Sequence, residues 1–172
     1  AIKPLRIGDL ILNLEALVAP MANARGTAYL LDAGLDAVWA LGDEERVRQI
    51  LVNLVTNAIK FAPPGSWVRV SAESDGEVVT IRVRDNGPGI PSDKLEVIFD
   101  PFIQVEINPR ERREGAGLGL AISRELARGM GGDLMVHSAP GEGSEFQLRL
   151  LEADEADIPV EPLKAREASL RP

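Results

Sequence analysis

The stretch of sequence that decides the fold is residues 53–61, NLVTNAIKF. Asn53 and Asn57 are four residues apart and Lys60 follows three later, so on a helix these three side chains share one face. Asparagine is a weak helix former, so two on one face call for an explanation. The amide oxygen of Asn57 could bind Mg²⁺, which prefers oxygen ligands, and Lys60 could meet a phosphate as a point charge. Taken alone, the segment is more typical of a solvated polar stripe than of a binding site.

The residues before this stretch predict the rest of its helix. Asp43 is a suitable cap and is followed by two glutamates in the first turn, whereas Pro63 and the residues after it end the helix. An earlier helix is predicted after Asp9, which would cap it. Each helix has apolar positions at helical spacing, Leu10, Ile11, Leu14, Leu17, Val18 and Met21 in the first, and Val47, Ile50, Leu51, Leu54 and Ala58 in the second.

The remaining elements predict the fold class. Strands are expected at 27–31 and 37–41, and hairpins at 67–72 with 78–84 and at 133–138 with 144–151. A short helix near 92–98 and a third main helix at 117–130 complete the order α, ββ, α, ββ, α, ββ. This order predicts an α+β domain, a two-layer α/β sandwich with one mixed sheet and three main helices on one face. We expect residues 1–151 to form this domain and 152–172 to be a flexible C-terminal tail or linker.

Composition excludes several classes of function. The chain has 172 residues, no cysteine and one histidine, so disulfides, thiolate metal sites and His-based metal sites are not expected. Its net charge of −8 argues against nonspecific nucleic-acid binding, which requires neutralising phosphates. The sequence contains no apolar run of the about 20 residues that span a bilayer and no secretory signal. We therefore expect a cytoplasmic domain, whether or not its parent protein is anchored in a membrane.

Residues 85–91, DNGPGIP, form the second candidate site and follow directly after a predicted strand. Asp85 can accept a hydrogen bond from an amino group such as N6 of adenine. Guanine has an oxygen at that position, which the carboxylate would reject. Asp-Asn-Gly-Pro is also strong turn chemistry, so a turn without a ligand is the alternative.

Residues 115–120, GAGLGL, form the third candidate site at the start of the third helix. Glycines let the backbone approach a phosphate, and a helix N-terminus offers unpaired N–H groups. The spacing is neither that of a Rossmann fingerprint nor that of a P-loop, and an ordinary glycine loop is the alternative. Upstream, Phe99 and Phe102 are predicted core contacts that anchor a mobile lid. The arginines at 110, 112 and 113 are interpreted as a solvated charge run, with a phosphate-facing role as the lesser hypothesis.

The order and spacing of these segments resemble those of sensor histidine kinases. The segments NLVTNAIKF, DNGPGIP, FDPF and GAGLGLAIS are similar to that family's N box, first glycine box, F box and second glycine box. Residues 141–146, GEGSEF, resemble its closing glycine motif, and the resemblance covers about residues 1–151. It implies the Bergerat ATP-binding fold of the superfamily that includes gyrase, a heat-shock chaperone and mismatch-repair ATPases.

The resemblance also implies roles for individual residues. Asn57 would hold Mg²⁺ with Asn53 beside it, and Lys60 would contact the phosphates of ATP; these three form the expected catalytic set. Asp85 would bind the adenine amino group. Residues 103–116 would be the ATP lid, in which Ala116 stands where relatives more often have Gly, Thr or Ser. The other implied nucleotide contacts are Phe61, Gly87, Gly89, Ile90, Gly117, Leu118, Gly119, Leu120 and Ser144.

The activity implied by the resemblance is transfer of the γ-phosphoryl group of ATP to a histidine. Hydrolysing relatives place a glutamate at position 53 to activate water, whereas Asn53 cannot take a proton, which favours a kinase. His137 lies in a predicted strand without the sequence context of a phosphoacceptor. The acceptor is therefore expected on a separate dimerisation and phosphotransfer domain of the parent protein, with a response regulator receiver domain as the next partner.

Two other functions fit the same sequence features. One is a serine kinase of the same superfamily, such as an anti-sigma factor, and the other is a docking module that has lost ATP turnover. We expect the isolated domain to be a monomer that binds ATP and does not phosphorylate itself.

Overall fold

The computed structural model describes residues 1–102 and 119–160. Among these, five strands form a mixed sheet that is one layer of the fold. They are β2 (Ala28–Leu31), β4 (Trp67–Ser74), β5 (Val78–Asp85), β6 (Asp133–Ser138) and β7 (Ser144–Leu151). Their order in the sheet is β2-β4-β5-β7-β6. Strand β2 runs parallel to β4, and the other neighbouring strands are antiparallel. The α+β class and the mixed sheet are confirmed.

The second layer consists of helices on one face of this sheet. They are α1 (Ile7–Ala24), α2 (Glu44–Phe61), the short α3 (Ser92–Leu95) and α4 (Gly119–Gly129). Alternate residues of the central strands, such as Val79, Ile81 and Val83, are fully buried beneath the helices. The core continues into α2 through Ile50 and Leu54, which are also buried, so the predicted apolar stripe of this helix is confirmed. None of the described helices is long and apolar enough to cross a membrane.

Asp43 caps α2 as predicted, because its Oδ1 accepts a hydrogen bond from the Arg46 N–H at 3.2 Å. The predicted cap of α1 is wrong. That helix already begins at Ile7, whose N–H donates to the Val38 carbonyl at 3.0 Å, and Asp9 lies in its first turn. Leu17, one of the apolar positions at helical spacing in α1, is 62% exposed, because it lies to one side of the buried stripe that contains Leu14 and Val18.

A separate two-stranded sheet was not predicted. Strand β1 (Lys3–Arg6) pairs antiparallel with β3 (Trp39–Gly42). The sequence does predict a strand near β3, but β2 and β3 lie in different sheets. Between them, Leu35–Ala37 forms a 3₁₀ turn.

Beyond Leu151 the chain continues along β3. Glu152 forms a bridge with Ala40, and the Ala153 N–H donates to the Trp39 carbonyl at 3.1 Å. Ala153 is buried. The domain boundary at residue 151 and the flexible tail stay predictions, and the last part of that tail, 161–172, lies outside the described residues.

Candidate functional site

The polar face of α2 lies against α4. Asn53 and Asn57 are both half-buried there, and the Asn57 Nδ2 donates to Asn53 Oδ1 at 3.5 Å. The Asn53 Nδ2 in turn donates to the Ser123 hydroxyl of α4 at 3.2 Å. This face therefore belongs to a contact between helices, which is not what a solvated polar stripe would show.

Gly119 permits the close approach of the two helices. A Cβ atom at this position would lie 2.5 Å from Asn53 Oδ1, which is far inside the contact distance of two atoms. The next residue, Leu120, is half-buried and packs against the core. Gly117 and Leu118, which the resemblance assigns to the triphosphate, lie outside the described residues, as does the expected lid at 103–116.

The C-terminal end of α2 leads to the second candidate segment. Lys60 is exposed and its backbone carbonyl accepts a hydrogen bond from the Arg25 guanidinium at 3.1 Å. Phe61 is 37% exposed, and its carbonyl oxygen lies 3.6 Å from where a Cβ on Gly87 would be. The structure thus places the end of the helix directly beside the glycine segment 85–91.

Asp85 is a half-buried carboxylate at the last position of β5. Burial raises the pKa of this carboxyl group, and hydrogen bonds from the backbone N–H groups of Gly87 and Ser144 lower it in part. The bond from Gly87 to Asp85 Oδ1 measures 2.9 Å. A carboxylate held in this way can accept a hydrogen bond from a ligand amino group.

The loop after Asp85 is closely packed against the turn between β6 and β7. Gly89 has φ +76°, and a Cβ there would lie 2.0 Å from the Ala139 carbonyl oxygen. Gly143 has φ +75°, and a Cβ there would lie 2.0 Å from the Asp85 carbonyl oxygen. Both positions therefore require glycine for conformation and for space.

Ser138 joins the two loops and was not predicted to have a role. Its hydroxyl accepts a hydrogen bond from the Ile90 N–H at 2.8 Å and donates to the Gly143 carbonyl at 2.7 Å. The hydroxyl oxygen of the buried Ser144 lies 2.9 Å from the Ser138 hydroxyl oxygen. No motif marks a serine at the end of a strand, so only the fold could reveal this contact.

The two phenylalanines of the segment 99–102 differ. Phe99 packs against the core, and the Arg124 guanidinium lies 4.7 Å from the centre of its ring. Phe102 is 72% exposed with φ +66°, so its prediction as a core contact is wrong. The arginines at 110, 112 and 113 lie outside the described residues.

The arrangement suits a nucleotide with a divalent cation. Asn57 Oδ1 accepts no hydrogen bond from a described residue, while the amide nitrogen of the same side chain is engaged by Asn53. An amide oxygen on a half-buried side chain, without a hydrogen bond from the described residues, is a fitting Mg²⁺ ligand. Beside the end of α2, Asp85 and its glycine segment offer a half-buried carboxylate acceptor.

The part of the chain that contains these residues matches a known protein family. The family model described as "Histidine kinase-, DNA gyrase B-, and HSP90-like ATPase" matches residues 42–154. The chain is 36% identical to the autoinducer 2 sensor kinase/phosphatase LuxQ of Vibrio harveyi, over 98% of the chain and 19% of that protein. It is 45% identical to the sensor histidine kinase RcsC of Escherichia coli (strain K12), over 63% of the chain and 11% of that protein. The chain thus spans at most about a fifth of these relatives.

Solved structures share the fold. Full-length ShkA in complex with AMPPNP is 32% identical with a TM-score of 0.76, over 92% of this chain and 33% of that one. The catalytic domain of the histidine kinase ThkA is 23% identical with a TM-score of 0.75, over 90% of this chain and 99% of that one. At this lower identity the ThkA likeness shows the fold alone.

Proposed function

Since the chain belongs to the family of histidine kinase-, DNA gyrase B- and HSP90-like ATPases, we propose that it binds Mg-ATP and transfers the γ-phosphoryl group to a histidine. The acceptor is a histidine of a separate dimerisation and phosphotransfer domain of the parent protein, and a response regulator receiver domain takes the phosphoryl group next. The named sensor kinases among the relatives support this place in two-component signalling. The reaction belongs in the cytoplasm.

The observation that carries the proposal is the amide at position 53. Asn53 lies at the centre of the polar face of α2, and its nitrogen donates to Ser123. An amide has no basic site that takes a proton from water at neutral pH. The face therefore holds and orients groups without activating water, which favours transfer to an imidazole over hydrolysis. Imidazole needs no strong base, because it is already partly unprotonated at neutral pH.

Asp85 supplies selectivity for adenine in this proposal. The Gly87 N–H holds one carboxylate oxygen at 2.9 Å, so the carboxylate has a fixed direction before any ligand arrives. The charged form accepts a hydrogen bond from the adenine amino group. The oxygen of guanine at the same place would face a half-buried negative charge, so GTP is excluded.

Asn57 and Lys60 act at the phosphate end. The oxygen of Asn57 is a metal ligand and Lys60, which is exposed at the end of α2, is free to reach a phosphate. When bound, Mg²⁺ neutralises charge on the phosphates, which phosphoryl transfer requires more than covalent help from the protein. Alignment by these residues is the contribution of the chain itself.

The test is a transfer assay with ATP labelled on its γ-phosphate. The chain is incubated alone, and then with the separately produced phosphoacceptor domain of its parent protein. We expect label only on the added domain, in a linkage that acid cleaves and base does not, as for a phosphorylated histidine. Asn57→Ala serves as the matched control and should abolish the label. Label on the chain alone, or on a serine of an added substrate, would contradict the proposal.

A further inference from the structure

Ser123 is a buried polar residue for which no role has been assigned so far. It is 2% exposed, and its hydroxyl accepts the hydrogen bond from the Asn53 Nδ2 at 3.2 Å. A serine within a helix commonly bonds to the carbonyl one turn earlier in its own helix. Here the hydroxyl instead joins α4 to α2, so its position decides how a side chain of the neighbouring helix is held.

A primary amide has one donor end and one acceptor end, and fixing one end fixes the other. Because the nitrogen of Asn53 points to Ser123, its oxygen points to the other side, where Asn57 Nδ2 donates to it at 3.5 Å. The absence of a side chain at Gly119 leaves the space that this oxygen needs, since a Cβ there would lie 2.5 Å from it. The orientation of Asn53 is thus set by α4.

The same logic applies to the next amide. With its nitrogen directed to Asn53, Asn57 presents Oδ1 as the end that receives no hydrogen bond from a described residue. Rotating the Asn53 amide by half a turn would place two nitrogen donors opposite each other. Asn57 would then have to turn as well, and would present nitrogen in place of oxygen, which is not a ligand for Mg²⁺.

We propose that Ser123 is a positioning residue: through Asn53 it orients the Asn57 amide so that its oxygen faces the magnesium ion of bound ATP. The proposal rests on the function proposed above. It adds a residue that does not contact the metal and acts on it only through Asn53 and Asn57. Groups that orient metal ligands in this way typically contribute about 10- to 100-fold to metal affinity.

The experiment measures how much Mg²⁺ improves ATP binding. The chain is titrated calorimetrically with ATP in Mg²⁺ and again in EDTA, and the ratio of the two affinities is compared between variants. Ser123→Ala should reduce this ratio by about tenfold while leaving the affinity in EDTA unchanged. Gly119→Ala, which pushes on the same amide from the other side, should reduce the ratio in the same direction.

Gly129→Ala is the matched control. It makes the same substitution at the other end of α4, where a Cβ would meet only Arg46 at an ordinary 3.7 Å. Its ratio should equal that of the wild type. Thermal unfolding of each variant reports whether the fold is kept, and Ser123→Cys, which keeps the volume and weakens the acceptor, replaces Ser123→Ala if that variant does not fold.

The outcomes separate this proposal from the function on which it rests. An unchanged ratio in Ser123→Ala would overturn the positioning role while leaving ATP binding intact. An equal loss of affinity in Mg²⁺ and in EDTA would also overturn it, because it would show a general structural effect. Wild-type chain that binds no nucleotide in either medium would overturn both.

Discussion

Asp85 is a half-buried carboxylate, and its substitution gives the most specific prediction for nucleotide binding. In Asp85→Asn the Gly87 N–H can still be satisfied by the amide oxygen, so the fold should persist. The charge-assisted bond to an amino group is lost, and ATP affinity should fall by about tenfold or more. Calorimetric titration measures this loss, with circular dichroism as the control for folding. Unchanged affinity would remove the adenine assignment.

Although Asp85→Asn should weaken ATP binding, it should raise the stability of the folded chain. Burial raises the pKa of Asp85, so protonation favours the folded state and the ionised group destabilises it. The contribution of this group is present below its unfolded-state pKa and is lost as pH rises through its higher folded-state pKa. Asp85→Asn should therefore unfold at a higher temperature than the wild type at neutral pH, and this difference should shrink in acid. A wild type that is the more stable protein at neutral pH would contradict the stated cause.

Gly89 offers a test of the packed loop. Gly89 and Gly141, which lies in the adjoining turn, have nearly the same φ, +76° and +78°. A Cβ at Gly89 would lie 2.0 Å from the Ala139 carbonyl oxygen, whereas a Cβ at Gly141 would meet nothing within 4 Å. Gly141→Ala should cost about 1–2 kcal/mol for conformation alone. Gly89→Ala should cost about 1–3 kcal/mol beyond this for the collision. Urea unfolding measures the loss of unfolding free energy in both variants. Equal losses would contradict the predicted collision at Gly89, because they would show that the loop accommodates the Cβ without a measurable loss of stability.

For single residues, the sequence reveals those that belong to motifs. It does not reveal the residues elsewhere in the chain that contact and orient them. Asn53, Asn57 and Asp85 are marked by residue type and spacing. Ser123 and Ser138 matter through contacts with residues 70 and 48 positions away in the chain. The local sequence does not distinguish a serine that faces a neighbouring segment from one that faces water. The contacts of these two serines could therefore be found only in the structure.

Among the elements, α2 carries both the core stripe and the polar face, and its start is the point at which its stability is most easily tested. Asp43→Ala removes the cap bond to Arg46 and should lower the free energy of unfolding by about 1 kcal/mol. Asp9→Ala is the matched control, because Asp9 lies in the first turn of α1 and makes no cap bond. It should cost no more than the few tenths of a kcal/mol of a helix-dipole interaction. Equal losses in urea unfolding would show that charge alone explains both positions.

Elements with strong local patterns were predicted well, and those that depend on distant partners were not. The hairpin of β6 and β7 occurs at the predicted residues because the proline- and glycine-containing turn at 139–143 marks where both strands end. Strand β1 contains Pro4 and has only four residues, and it exists because β3 is available some 35 residues later. The start of α1 was misplaced for the same reason, since Ile7 is held by the Val38 carbonyl of the segment before β3.

For the whole molecule, the order of elements was sufficient to predict the two layers and the mixed sheet. It could not predict that β2 and β3 separate into different sheets, because local propensity does not specify pairing. The fold brings the polar face of α2, the end of β5 and the turn between β6 and β7 to one region, although they are far apart in sequence. Each motif is ambiguous alone, and their convergence is what supports a nucleotide site.

The most direct test of the central claim is calorimetric titration of the chain with ATP, with and without Mg²⁺, and with GTP as the control. We predict that ATP binds, that Mg²⁺ strengthens its binding, and that GTP does not compete. Binding of both nucleotides alike would contradict the role of Asp85. Absence of binding to any nucleotide would contradict the claim itself and would leave a docking module as the better description of this domain.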